Sequence, residues 1–175
     1  MRKILALIFG IFIGTSVFSQ KDGYKTIKVG NLFDSIELYN SYKITQIADN
    51  GFRLISLTSQ TFCDIELAYI DVKITDDGKI NLIQLYTKES NYEDVDQFLK
   101  AYDFISKCIV NTVGKANYYD PGNDAKDGLL RMAWIFEKEN KILVLSSNSL
   151  AIYERNVPRH FLIAWTERSS KAKMW

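Results

Sequence analysis

The chain has 175 residues, 22 of them basic and 21 acidic; 47% are apolar and only two are proline. That composition excludes an intrinsically disordered chain, and the near balance of charge removes any electrostatic ground for nucleic acid as a partner. Two cysteines and one histidine leave few side chains for a zinc or copper site.

Residues 1–19 read as a cleaved secretory signal. Arg2 and Lys3 precede the apolar run Ile4–Phe18, and Val17-Phe18-Ser19 offers small residues at the positions read by signal peptidase. The run is about fifteen residues long, short of the roughly twenty that a membrane-spanning helix needs. No cysteine lies near the cut, so a lipid anchor of the bacterial lipoprotein type is not expected. Cleavage leaves residues 20–175 as one α+β domain, periplasmic or extracellular and soluble, with no transmembrane segment. Taking Arg2 and Lys3 from the 22 basic residues leaves 20 against 21 acidic, a net charge of −1.

Along that domain, Tyr24–Val29 alternates in polarity and predicts a first strand, and the even positions Ile36, Leu38, Tyr42 and Ile44 suggest another. Gly30–Asn40 is also compatible with a short helix. Asn50-Gly51 between Lys43–Ala48 and Phe52–Thr58 is a hairpin signal. The clearest hairpin joins Asp64–Ile74 to Lys79–Thr87 through Asp76-Asp77-Gly78, where glycine supplies a positive φ without strain.

Residues 91–113 predict one long amphipathic helix. Ser90-Asn91-Tyr92-Glu93 is a capping box, and Gly114 stands where a left-handed C-terminal cap belongs. Val95, Phe98, Leu99, Tyr102, Ile105, Ile109 and Val113 share one face of it, with Phe104 toward the polar side. Asn117–Gly128 reads as a loop. Arg131–Glu137 and Lys141–Ser147 form a further hairpin turning at Glu139-Asn140, and His160–Thr166 a last strand. The expectation is an antiparallel sheet of about seven or eight strands with the helix packed across one face. A sheet cradling a helix resembles the helix-grip arrangement in architecture, which carries no function with it.

Cys63 and Cys108 are an even pair in an exported chain, which favours a disulfide worth roughly 4 kcal/mol by loop closure. Catalytic signatures are missing. His160 has neither a nucleophile motif nor a second histidine beside it, and no phosphate-cradling glycine loop occurs. Asp120, Asn123, Asp124 and Asp127 offer oxygen ligands, but their spacing does not match an EF-hand and turn chemistry explains them. No metal or cofactor is therefore expected.

Tyr118 and Tyr119 head the polar loop, where exposed aromatic rings favour protein contacts; Trp134 and Trp165 are expected to alternate into the core. The functional expectation is a non-enzymatic binding module that engages another protein through Tyr118, Tyr119 and Asp120. An inhibitor or immunity-type protein fits that description, as a monomer or small homo-oligomer. A carrier of a small apolar ligand held between helix and sheet is the alternative, and a carboxylate hydrolase using Asp120, Asp124 and Asp127 ranks behind it.

Overall fold

The computed structural model describes residues 21–89, 95–120, 130–147 and 160–168. The signal segment, the capping box, most of the Asp/Gly loop and the tail after Arg168 lie outside the described residues. The architecture is α+β, as expected, and the sheet is antiparallel throughout. Among the described residues it has nine strands, however, not seven or eight. A separate two-stranded hairpin precedes it.

That hairpin replaces the single first strand predicted at Tyr24–Val29. Strands β1 (Gly23–Tyr24) and β2 (Ile27–Lys28) pair across the two-residue turn Lys25-Thr26, with Lys25 at φ 52°. A Cβ on Gly23 would meet the Ile27 carbonyl oxygen at 2.1 Å, so only glycine fits there. The even-position strand through Ile36 and Leu38 is instead helix α1 (Ser35–Tyr39), whose start is capped by Asp34 Oδ1 accepting from the Glu37 N–H at 3.2 Å.

Strands β3 (Tyr42–Ala48) and β4 (Gly51–Ser56) then form the next hairpin. Its turn residues are Asp49-Asn50, one position earlier than the Asn-Gly signal implied, and Gly51 begins β4. A Cβ there would press to 3.3 Å on Ile47 and Ala48, so Gly51 serves a close approach. The predicted central hairpin is β6 (Ile65–Ile74) and β7 (Ile80–Thr87), with Gly78 at φ 78° in its turn. Before β6 lies β5 (Thr61–Phe62), which sequence reasoning missed. It pairs with β6 across Cys63-Asp64, and both turn residues have positive φ (49° and 59°), as a type I′ turn requires.

Helix α2 (Val95–Val113) ends at Gly114, φ 96°, the expected left-handed cap. After it come β8 (Tyr118–Asp120), β9 (Arg131–Phe136), β10 (Lys141–Ser147) and β11 (Phe161–Glu167). The strand order is β3-β4-β6-β7-β11-β10-β9-β8, with β5 beside β6. Strand β11 thus inserts between β7 and β10, and the pairings Trp165 with Ile83 and Trp165 with Leu143 join the two halves of the sheet.

Residues in register share a face. Leu54, Ile70, Leu85, Ile163, Leu145 and Met132 line one face, and all but Met132 are fully buried there. Phe98, Tyr102, Ile105 and Ile109 of α2 belong to the same core, and the Phe98 ring stacks on Phe161 of β11 at 4.9 Å. The Trp134 indole N–H donates to the Gly114 carbonyl at 2.8 Å, fastening the helix end to β9. Trp134 and Trp165 are buried, as alternation predicted. Leu99 departs from its predicted face and is 40% exposed, while Phe104 is exposed as its polar-side position implies.

A disulfide joins Cys63 in the β5–β6 turn to Cys108 on α2, with Cα atoms 6.1 Å apart. It confirms the predicted pairing and ties the helix to a turn whose backbone is unusual for cysteine.

Candidate functional site

The predicted binding residues sit on an edge of the sheet. Tyr118, Tyr119 and Asp120 form β8, not the start of a loop, and pair with Ala133, Met132 and Arg131 of β9. Asn117 sets this register: its N–H donates to the Ala133 carbonyl at 2.8 Å, and its side-chain oxygen accepts from the Ile135 N–H at 2.6 Å. Side chains alternate along β8, so Tyr118 and Tyr119 point to opposite faces. They are 48% and 58% exposed. The backbone of Asp120 is placed in β8, whereas Asn123, Asp124 and Asp127 lie outside the described residues. The carboxylate cluster that a hydrolase or a calcium site would need is therefore not described.

A second assembly occupies the face of the sheet opposite α2, and sequence reasoning did not single it out. Arg53 of β4 donates to both carboxylate oxygens of Asp71 on β6, each at 2.8 Å. Its guanidinium carbon lies 3.8 Å from the centre of the Tyr69 ring. Tyr69 in turn stacks on Tyr86 of β7 at 4.6 Å, and Tyr86 stands 6.1 Å from His160 at the head of β11. The row crosses four neighbouring strands.

Its charges are held in place by the surroundings. The Asp71 carboxylate, hydrogen-bonded to the guanidinium, pushes Arg53 still further above its ordinary value, so it stays cationic at any working pH. Tyr69 and Tyr86 are raised above 10.0, first by burial, and remain neutral phenols at physiological pH. Beside them a hollow of about 370 Å³ is lined by Ala68, Tyr69, Tyr86, Lys88, Glu89 and His160. Lys88 is ion-paired to Glu66 at 2.8 Å across its rim. His160 thus belongs to an aromatic row. The signal in the sequence was a pair of opposite charges on outward positions of two strands, but Arg53 and Asp71 meet only once the register across β4 and β6 is known.

Another hollow, of about 420 Å³, lies between α1 and the start of β3, lined by Lys25, Glu37, Tyr42, Leu57 and Gln60 among others. Tyr42 and Gln60 hydrogen-bond at its floor. The layer between α2 and the sheet, where a small apolar ligand would sit, is occupied by Phe98, Tyr102, Ile105, Phe161 and Trp165, all buried and sharing one core.

Among the described residues no group of three His, Cys, Asp or Glu side chains is placed to hold a metal ion. No helix of the described residues is long and apolar enough to cross a membrane. No protein-family model, curated protein or solved structure matches this chain.

Proposed function

We propose that this protein is an exported, non-enzymatic module that binds another protein along strand β8. The observation that carries the reading is the exposure of Tyr118 and Tyr119 on an edge strand fixed in register by Asn117. Tyrosine supplies a large amphipathic contact with only two side-chain torsions to immobilise, so it is enriched where binding energy concentrates. A sheet edge adds main-chain donors and acceptors that an extended partner segment can take up. The Cys63–Cys108 bridge supports export, because such bonds persist in oxidising compartments. In this reading α2 is scaffold: it closes one face of the sheet and leaves the edges and the Arg53 row for contact. An inhibitor or immunity-type protein that blocks an envelope enzyme is the form this reading takes for a small disulfide-bonded domain.

The test places a photo-crosslinking side chain at position 119 and, as control, at Lys107 on the solvent face of α2. Irradiation of native envelope is expected to give a discrete protein adduct from position 119 and none from position 107. The adduct should disappear when Tyr118 is also changed to alanine. Equal labelling from both positions, or none from either, would count against the β8 interface.

A further inference from the structure

The opposite edge of the sheet, strand β3, carries backbone groups with no partner among the described residues. The Ser41 carbonyl accepts from the Leu57 N–H at 3.0 Å, which makes Ser41 and Leu57 a hydrogen-bonded pair of the β3–β4 ladder. Antiparallel pairing alternates, so Lys43 and Thr45 direct their N–H and C=O groups to β4. Those of Tyr42, Ile44 and Gln46 face outward. The ladder is interrupted between Gln46 and Ala48, and the Gln46 side-chain amide donates to the Ala48 and Asp49 carbonyls at 3.2 and 3.3 Å. The open template thus ends at Gln46.

The three outward residues are symmetric about Ile44, so a second copy of the same strand can meet them in register. An antiparallel strand with Ile44 opposite Ile44 and Tyr42 opposite Gln46 satisfies every outward N–H and C=O, and that strand is β3 itself, turned about a twofold axis. In the same register Lys43, the one charged side chain of β3, falls opposite Thr45 of the other copy, so no like charges meet. Ile47 and Ile55, 46% and 41% exposed, flank the seam.

We infer that a second copy of this chain docks on β3, joining two nine-stranded sheets into one continuous twofold-symmetric sheet. The strand order puts β3 and β8 at opposite ends, so the dimer leaves Tyr118 and Tyr119 accessible, and the two interfaces stand or fall separately.

Sedimentation of the disulfide-bonded protein over a concentration series tests this, with each variant's fold checked by its thermal unfolding. Thr45→Glu sets a carboxylate opposite Lys43 at two symmetric places and is expected to tighten the dimer about fivefold. Thr45→Lys opposes like charges and should loosen it by a similar factor. The double variant Lys43→Glu, Thr45→Lys swaps the charges and should restore or exceed the wild-type dimer, even if Thr45→Lys alone folds poorly. Wild type and Thr45→Glu that are both monomeric at every concentration would overturn the inference. So would a dimer whose dissociation constant is the same in Thr45→Glu as in wild type; a foreign strand on β3 would produce either result.

Discussion

On the face of the sheet that meets α2, Ile83, Leu85, Ile163 and Trp165 are wholly buried; on the other face of the same two strands, Gln84, Tyr86, Leu162 and Ala164 are only half-buried. Alternation along each strand builds both surfaces from the same stretch of chain, yet they do different work. The covered face holds dense apolar contact, where a fully buried Leu, Ile or Phe contributes about 1.5–3 kcal/mol. The open face carries pairs that are specific but shallow: an Arg–Asp fork, a guanidinium over a tyrosine, two stacked phenols. Stability should therefore reside on one face and recognition on the other and at the edges. The far end of the open face qualifies this contrast, because Ala133, Ile142 and Val144 form a small buried cluster there.

The covering layer supplies the largest expected effect. Replacing Cys63 and Cys108 together by serine and alanine releases α2 from the β5–β6 turn. By loop closure the loss is about 4 kcal/mol, a large share of the total stability of such a domain. Cys63 and Asp64 hold left-handed backbone without glycine, so the turn also loses the link that keeps it there. Chemical denaturation with and without reductant measures the effect. A shift below about 1 kcal/mol would mean that packing of Phe98 and Ile105 holds the helix without the bridge.

The open face should respond less. Asp71→Ala leaves Arg53 over Tyr69 without its carboxylate. Because the Arg53 side chain is 36% exposed, water recovers part of the loss, and the expected cost is about 2 kcal/mol. Removing both partners, as Arg53→Met with Asp71→Leu, should recover most of it, since no charge is then stranded. A double-mutant cycle on the denaturation midpoint reads both numbers. A double variant as unstable as Asp71→Ala would show that the pair organises the sheet.

These contrasts also explain what could be read from the sequence. β6, β7 and α2 were legible because ten, eight and nineteen residues carry several turns of their period, and glycines mark their ends. β5 and β8 have two and three residues, too few to show a period, which is why the strand count fell short. The β5–β6 turn was hidden for a second reason: Cys63-Asp64 lacks the Asn-Gly signature, and its conformation is held by a bond to a residue 45 positions away. The cysteine pairing itself followed from their number and from the signal-like N-terminus that made export the expectation. Tyr118 and Tyr119 were found as exposed aromatics but misplaced in a loop. The Arg53 row was invisible because it depends on cross-strand register, and β5 intervenes in the chain between β4 and β6.

The smallest effect tests the buried core by pH. Tyr24, only 2% exposed, donates its hydroxyl to the Thr61 carbonyl at 2.9 Å. Tyr24→Phe should cost about 1 kcal/mol at neutral pH, for one hydrogen bond and an orphaned carbonyl. Burial raises the Tyr24 phenol well above its ordinary 10.0, with Tyr42 adding to the shift. A raised value means that the folded state keeps its proton after the unfolded chain has begun to lose one. Stability linked to Tyr24 is thus fully present below pH 10.0 and is lost as pH climbs through the folded value. Phenylalanine has no proton to lose, so the variant should decline less steeply, and the gap between the two proteins should narrow above pH 10.0. Urea midpoints from about pH 8 to about pH 11 decide it, because every other tyrosine is common to both proteins. A constant gap across that range would place Tyr24 in contact with water, and the core would then be less dry than its packing implies.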